Sequence, residues 1–184
     1  MTTGFVTTLS TLVVLGFCAA ASAQEEQRSD EPVTDQNAPA RTGDRSDPAQ
    51  ALLDAHNGYR DRHCAPPLAW SAELAAMAQQ WADRCEHSHE PNSQVGENLA
   101  QGTNLSARTA VDGWYREVSS YDFAAPGFVS GSGHFTQVVW KGSTQLGCGS
   151  ARCQEGTFVV CRYSPAGNDT GDGEFAANVS PVCK

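Results

Sequence analysis

The chain is organised around the stretch GSGHFTQVVWKGSTQLGCG, residues 131–149, which has glycine at both ends of an apolar run. Side chains along this run alternate between two faces: His134, Thr136, Val138 and Trp140 on one, Phe135, Gln137 and Val139 on the other. Alternation with a period of two, bounded by glycine, predicts a β-strand. A histidine at the first position of that strand would lie at the end of a sheet, where it could meet other polar groups in a cleft.

Composition limits the classes of partner. The chain has 184 residues and a formal net charge of -9. This charge argues against a nucleic-acid partner and against electrostatic attraction to an anionic membrane, so any membrane contact is expected only through lipid exchange. The length is sufficient for one domain of ordinary size with additional terminal segments.

The amino terminus predicts export. Residues 1–23 read as a signal peptide, because an apolar run from Leu12 to Ala21 precedes the small-residue cleavage site Ala21-Ser22-Ala23. Residues 24–48 are polar and acidic and are expected to be a disordered leader, followed by one folded domain over residues 49–184. An exported protein would be secreted and extracellular, or periplasmic in a Gram-negative source. The six cysteines beyond residue 60 then read as three disulfides.

Helices are predicted before the central stretch and strands after it. Asp47-Pro48, Ser71 and Ser106 are suitable first residues for three amphipathic helices. The segment EHSHEPNSQVGENLAQG, residues 86–102, is predicted to be a loop from its Pro, Gly, Asn and Ser content, and FVVCRY, residues 158–163, to be a strand. Helices followed by strands indicate an α+β fold with a mixed sheet packed on helices.

Four residues are candidates for a functional site: His87 after the second helix, Glu97 in the GENLA segment, Glu117 at the third helix, and His134. Two imidazoles and two carboxylates can bind a divalent metal, and they can also transfer protons. Spacing alone does not separate these roles from those of ordinary solvated or capping residues.

The motifs of the folded part, taken in order, resemble those of the CAP superfamily, which includes cysteine-rich secretory proteins, antigen 5 and plant pathogenesis-related proteins. They are HNGYR (56–60), PPLAWSAELAAMAQQWADRC (66–85), His87-Ser88, GENLA (96–100), WYREV (114–118), GHFTQVVW (133–140), LGCG (146–149) and CRYSPAGN (161–168). The resemblance covers roughly residues 49–181 and is closest in pattern to fungal secreted sterol-binding members and the Golgi-associated plant pathogenesis-related protein. It implies a three-layer α-β-α sandwich.

The resemblance also implies a site. His87, Glu97, Glu117 and His134 would converge in one cleft, where the two histidines could hold a divalent metal such as zinc and the glutamates would support them. Residue by residue, the His-Ser pair favours His87 over its neighbour His89 as the ligand. His56 belongs to the first-helix motif and is expected to be structural.

The resemblance implies three disulfides. Cys85–Cys148 would join the second helix to the sheet, and Cys153–Cys161 would join the final strands across their turn. The remaining pair, Cys64–Cys183, would fasten the C-terminus near the first helix. A zinc-cysteine site is disfavoured because the sequence has no close C-x-x-C pair.

The segment YDFAAPGF, residues 121–128, suggests a lipid site. Tyr121, Phe123, Pro126 and Phe128 could border an apolar pocket, as the matching loop does in related sterol-binding fungal proteins, or the rings could simply fill the core. We therefore expect a secreted protein that binds a sterol or a fatty acid.

Two alternatives stay open. A metal-dependent hydrolase or peptidase could use the same His/Glu cleft with Glu97 or Glu117 as general base. No catalytic residue is assigned, since the sequence has no G-x-S-x-G nucleophile motif and no free cysteine once all six pair, so an enzyme is the less favoured interpretation. The other alternative is a secreted module that binds a protein partner in defence or host contact. The sequence also contains the N-glycosylation patterns Asn104-Leu-Ser106, Asn168-Asp-Thr170 and Asn178-Val-Ser180.

Overall fold

The computed structural model describes residues 47–184. The predicted signal peptide and nearly all of the predicted leader lie outside these residues. The described helices are α1 (Pro48–Arg62), α2 (Ala72–Ala82), α3 (Ala107–Arg116), α4 (Gly133–Val139) and α5 (Glu174–Asn178), with a 3-10 turn at Glu117–Ser120. The strands are β1 (Ala69–Trp70), β2 (Gly96–Gly102), β3 (Gln145–Cys153) and β4 (Gly156–Ser164). None of the helices in this range is long and apolar enough to cross a membrane.

The first three helices begin where the sequence predicts. The side chains of Asp47, Ser71 and Ser106 accept hydrogen bonds from the backbone N–H groups of Ala49, Leu74 and Thr109, respectively. Each bond satisfies a donor that a helix leaves unpaired in its first turn. Local capping chemistry therefore sets these three helix starts.

The four strands form one mixed sheet in the order β1-β3-β4-β2. β1 runs parallel to β3, whereas β3–β4 and β4–β2 are antiparallel. α2 packs on one face of the sheet against Leu99, Phe158 and Val160. α1, α3 and α4 cover the other face, where their apolar side chains share a core with Val159, Cys161 and Tyr163. This arrangement is the predicted three-layer α-β-α sandwich.

Two glycines allow α2 to approach β3 closely. A Cβ atom at Gly147 would overlap the backbone of Ala75, and one at Gly149 would overlap the backbone of Gln79. α2 and β3 therefore run in the same direction with backbone against backbone. This close approach explains the glycines in QLGCG.

The central stretch forms a helix, so the predicted strand is wrong. Residues 133–139 are α4, and every side chain from Phe135 to Val139 is buried. A segment buried on all sides has no exposed face to reveal its period. Both ends of α4 are held by distant residues: Glu117 accepts from the N–H groups of His134 and Phe135, and buried Arg60 donates to the carbonyls of Val138 and Trp140.

GENLAQG is also not a loop. Residues 96–102 form β2, which pairs antiparallel with β4 along its whole length. Asn98 and Leu99 are buried in this strand. Pairing with β4 outweighs the low strand propensity of glycine and asparagine, because strand preference depends strongly on context.

The structure confirms one predicted disulfide and corrects two. Cys64 bonds to Cys183 as expected, whereas Cys85 bonds to Cys153, and Cys148 to Cys161. Cys148 lies directly opposite Cys161 in the β3–β4 register, while Cys153 lies opposite Gly156. Cys153 and Cys161 are thus five strand positions apart, about 17 Å, which is too far for a disulfide.

The position of Cys85 follows from the α2–β3 packing. Ala75 lies over Gly147 and Gln79 over Gly149, so four helical residues span the same length as two strand residues. Continued past the end of α2, this ratio brings Cys85 near the end of β3, beside Cys153. The predicted partner Cys148 lies at the middle of the helix instead.

Candidate functional site

A cleft of about 320 Å³ opens where β2, the 3-10 turn and the first turn of α4 meet. Its lining consists of His89, Glu97, Asn98, Glu117, Phe128, Ser130, Gly131, Gly133, His134 and Asn168. Three of the four predicted site residues, Glu97, Glu117 and His134, are in this lining. With His89, these residues give the cleft two imidazoles and two carboxylates, supplied by elements far apart in the chain.

One side of the cleft is built from Glu117 and His134. Oε1 of Glu117 lies 2.7 Å from Nδ1 of His134, and Oε2 accepts from the backbone N–H groups of His134 at 3.0 Å and Phe135 at 3.2 Å. The carboxylate thereby caps α4 and orients the imidazole at its first turn. A negative charge is also favoured at this end of a helix.

The other side is built from His89 and Glu97. Nδ1 of His89 lies 2.9 Å from Oε1 of Glu97, which also accepts from the backbone N–H of Glu90. Oε2 of Glu97 accepts from Nη2 of Arg162 at 3.2 Å, and both side chains are almost fully buried, at 4% and 2% exposure. Arg162 also pairs with the half-exposed Glu90 at 2.6 Å. The hydrogen bond to Glu97 raises the pKa of His89 above its ordinary value.

The two sides are joined beneath the cleft by Asn98. Its Nδ2 donates to the carbonyl of His134 and to the hydroxyl of Tyr163. The hydroxyl in turn lies 2.8 Å from Nε2 of His56, whose Nδ1 lies 2.7 Å from the carbonyl of Leu52. Because that carbonyl can only accept, Nδ1 of His56 carries the proton and Nε2 accepts from Tyr163. Burial lowers the pKa of His56 to about 4, so this imidazole is a neutral part of the core.

The structure places His89, and not the predicted His87, in the cleft. His87 is exposed and lines a separate cavity with Cys85, Gln101 and Cys153, while its ring packs edge-on against Phe158 at 5.6 Å. His89 takes the place expected for His87. Both histidines are in one short polar loop, so no local pattern separates them. The direction of the loop is determined by the Cys85–Cys153 disulfide and by the hydrogen bond from the Trp81 indole to the carbonyl of Ser88.

Sequence reasoning also missed three polar residues of the site. Asn98, Arg162 and Asn168 lie within the GENLA and CRYSPAGN motifs, but the sequence did not predict them as residues of the cleft. Arg162 holds Glu97, and Asn168 donates to the carbonyl of Gly133 and accepts from the Thr136 hydroxyl. The signal for Arg162 was the strand β4 itself, because a charged side chain within a buried strand requires a partner.

The aromatic segment 121–128 divides between the core and the surface. Tyr121 is buried and packs with Phe123 and Phe135 at ring distances of 5.0 and 5.7 Å. Phe123 is half-buried against the same cluster. Phe128, by contrast, is 58% exposed at the mouth of the cleft, and Pro126 is exposed beside it. Two of the four predicted lipid-contacting side chains therefore serve mainly in packing.

The cleft contains nitrogen and oxygen ligands, but their number is small. Among residues 47–184, no three His, Cys, Asp or Glu side chains are grouped so that they could hold a metal ion. Nδ1 of each cleft histidine lies within hydrogen-bond distance of a glutamate carboxylate. With the proton of the neutral ring on Nδ1, Nε2 keeps a free lone pair. Imidazole nitrogen and carboxylate oxygen are ligand types that zinc accepts, and the cleft presents two of each without grouping three of them as a ready ion site.

Comparisons with known proteins agree with this fold. Residues 53–163 match the family model described as CAP, the cysteine-rich secretory protein family. The chain is 42% identical over 142 residues to Golgi-associated plant pathogenesis-related protein 1 of Homo sapiens, covering 72% of this chain and 92% of that protein. It is 42% identical over 147 residues to Secreted protein RBT4 of Candida albicans, covering 71% of this chain and 40% of that protein.

A solved structure is similar over the same region. Venom allergen-like protein 4 of Schistosoma mansoni is 27% identical, with a TM-score of 0.60, and the match covers 74% of this chain and 97% of that chain.

Proposed function

Because the chain belongs to the cysteine-rich secretory protein (CAP) family, we propose that it is an extracellular protein that binds a small apolar ligand, a sterol or a fatty acid, at the mouth of the cleft. Export is supported by the predicted signal peptide, by three disulfides, and by similarity to a protein named as secreted.

The exposed ring of Phe128 is the observation that carries the proposal. At 58% exposure, this phenylalanine is unusual on a surface that is otherwise polar around the cleft. Its side chain lines both the cleft and a second cavity of about 210 Å³ beside Phe175. Phe128 therefore borders both cavities, and we expect a rotation of its ring to open a continuous path for an elongated apolar ligand. The adjacent Val129 is also exposed and would extend the apolar surface.

The packing of the loop supports this role. Tyr121 and Phe123 anchor its start in the core, and at its end the Ser132 hydroxyl donates to the carbonyl of Val129. The segment between them, residues 124–128, carries Phe128 without burying it. A loop with fixed ends and an exposed aromatic side chain between them is suited to opening for a ligand and closing over it again.

The test is a titration of the purified, oxidised protein with a fluorescent sterol and, separately, with a fluorescent fatty acid. Phe128→Ser is expected to weaken binding about tenfold or more, because a bound ligand would remove the ring from water. The matched control is Val182→Ser, since Val182 is equally exposed at 58% but lines neither cavity. His134→Ala should leave this binding in place.

Unchanged affinity of Phe128→Ser for both probes would contradict the proposal. Absence of binding by the unaltered protein would contradict it as well, and would favour the alternative of a module that binds a protein partner.

A second function is favoured by the two carboxylate–histidine pairs. We infer that His89 and His134 can hold a divalent ion such as zinc through Nε2, while Glu97 and Glu117 orient the rings. An ion held there would supply a Lewis acid to a ligand in the cleft. The protein's own contribution is the fixed ring orientation, which Arg162 maintains on one side and the first turn of α4 on the other.

Calorimetric titration with zinc tests this inference. His89→Ala and His134→Ala should each weaken binding at least tenfold, whereas His87→Ala, an exposed histidine outside the cleft, should bind like the unaltered protein. Equal losses at His87 and His89 would contradict the assignment of His89.

The hydrolase alternative receives less support. Each cleft carboxylate already accepts three hydrogen bonds from the protein: Glu97 from His89, Glu90 and Arg162, and Glu117 from the ring and backbone of His134 and from Phe135. A general base needs a free lone pair directed at the substrate. These carboxylates are better suited to orienting the histidines.

A further inference from the structure

Three asparagines of the chain lie in the pattern that accepts an N-linked glycan, and their surroundings differ. Asn104-Leu105-Ser106 lies in the turn between β2 and α3, Asn168-Asp-Thr170 follows β4, and Asn178-Val-Ser180 ends α5. An acceptor asparagine needs its Nδ2 atom accessible, with space around it for a large hydrophilic substituent. Contacts in the folded protein therefore discriminate among the three.

Asn168 is part of the cleft. Its Nδ2 donates to the carbonyl of Gly133 at 2.8 Å, and its Oδ1 accepts from the Thr136 hydroxyl at 2.6 Å. These bonds tie the segment after β4 to the first turn of α4. A glycan on this nitrogen would lie inside the cleft and would compete with the contact to α4.

Asn178 is occupied in a similar way. Its Nδ2 donates to the carbonyl of Glu174 at 3.0 Å and to the Glu174 carboxylate at 3.1 Å, while its Oδ1 accepts from the N–H of Gly142. The amide thus joins α5 to the segment after α4. The following Pro181 further restricts the backbone of this pattern.

Asn104 differs from both. It is exposed in a tight turn with a positive φ of 56°, a conformation that asparagine adopts more readily than most residues. In this turn the N–H of Leu105 donates to the carbonyl of Gly102, and Ser106 accepts from the N–H of Thr109 and contacts its hydroxyl. The neighbouring Leu105 packs on the core and holds the turn in place.

We propose that Asn104 is the N-glycosylation site of this chain and that Asn168 and Asn178 stay unmodified in the folded protein. The proposal rests on export through a secretory pathway, as proposed above. The transfer forms a bond between Nδ2 of Asn104 and C1 of the first sugar of a lipid-linked oligosaccharide. It breaks the bond from that carbon to the lipid pyrophosphate, which leaves, and the amide loses one proton.

The position of Asn104 keeps the glycan away from the cleft. β2 begins at the cleft with Glu97 and Asn98 and ends at Gly102, before the turn that carries Asn104. Gly102 lies five strand positions beyond Glu97, a distance of about 17 Å. A glycan at Asn104 would shield the far end of the sheet and leave the cleft accessible to ligand.

The experiment is secretion of the full chain from eukaryotic cells, followed by intact mass measurement before and after enzymatic removal of N-glycans. The unaltered chain is expected to carry one glycan. Asn104→Asp, which tolerates the same positive φ, should lose it completely, while Asn168→Asp and Asn178→Asp should keep it. Loss of the glycan in either of the latter variants, retention in Asn104→Asp, or a secreted chain without a glycan would overturn the proposal.

A second pair of variants separates glycosylation from folding. Ser106→Thr keeps both the α3 cap and the acceptor pattern and should retain the glycan. Ser106→Asp keeps a good cap but removes the hydroxyl residue of the pattern and should lose the glycan. A variant with a host signal peptide in place of residues 1–23 enters the same compartment. Failure of the predicted native signal peptide, which would count against export, is thereby distinguished from failure at Asn104.

Discussion

Single residues hold the two sides of the cleft by different means. Glu117 accepts from two backbone N–H groups at the start of α4, whereas Glu97 accepts from one, that of Glu90, and also pairs with the buried guanidinium of Arg162. Both glutamates then orient a histidine through Nδ1. The two imidazoles thus have similar roles but depend on different parts of the fold.

Glu117→Gln is expected to lower the free energy of unfolding by about 1–2 kcal/mol. The amide cannot accept the same three hydrogen bonds, and its NH₂ group would face the backbone donors of α4. Urea unfolding of the variant measures this change. The control is Glu155→Gln in the exposed β3–β4 turn, which should change stability by less than about 0.5 kcal/mol. Equal stabilities of the two variants would contradict the capping role of Glu117.

Among the elements, α4 and the α2–β3 contact show how secondary structure depends on tertiary contacts here. α4 has only seven residues, and its ends are bound by Glu117 and Arg60, which lie on other helical segments. Burial lowers the pKa of Arg60 to about 10, yet the guanidinium still donates to four backbone carbonyls, those of Pro66, Val138, Trp140 and Ser143. Such a helix is specified by its surroundings rather than by its own sequence.

Gly147→Ala is expected to destabilise the protein by about 1–3 kcal/mol or more, because the added Cβ would overlap the backbone of α2, which cannot rotate away as a side chain can. Thermal unfolding of the variant provides the measurement. Gly58→Ala is the matched control, since Gly58 lies within α1 with open space around it. That variant should be neutral or stabilised by up to about 1 kcal/mol. A Gly147→Ala protein as stable as the unaltered one would show that α2 can shift away from β3.

For the whole molecule, the buried polar network beneath the cleft couples stability to pH. The folded pKa of His56 is about 4, below the value of 6.5 for an exposed histidine. Between these values the unfolded chain binds a proton that the folded chain does not, so stability falls as the pH is lowered through this range. His63, whose pKa burial also lowers, acts in the same direction, while the raised pKa of His89 acts in the opposite one.

Lowering the pH from 7 to 4 should therefore reduce the free energy of unfolding by an amount on the order of 3 kcal/mol from His56 alone. Denaturant unfolding at a series of pH values measures the slope. A His56→Gln variant, which has no imidazole at this position, should be less stable at pH 7 but show a shallower dependence. If its slope between pH 7 and pH 5 equals that of the unaltered protein, His56 does not titrate as described.

Disulfides also act at the level of the whole molecule. Cys64–Cys183 links residues 119 positions apart and ties the C-terminal segment to the end of α1, where the N–H of Cys183 also donates to the carbonyl of Arg62. Cys148–Cys161 spans only 13 positions and joins two strands that already pair. In the chain-entropy model the longer link restricts the unfolded chain more.

The sequence by itself determined the features that local chemistry controls. Asp47, Ser71 and Ser106 predicted three helix starts, residues 158–163 predicted most of β4, and ordered motifs indicated the family and its sandwich. Glu97, Glu117 and His134 were identified from those motifs as residues of one cleft. Such signals are readable because a cap or a motif lies within a few consecutive residues.

Tertiary structure alone decided the features that depend on distant partners. Whether residues 133–139 form a strand or a helix depended on Glu117 and Arg60, and the disulfide pairs depended on the β3–β4 register and on α2 lying over two glycines. The choice of His89 over His87 depended on how one disulfide and one indole hydrogen bond direct the loop between them. A residue's neighbours in sequence do not contain this information, because the atoms that determine the outcome become adjacent only when the chain has folded.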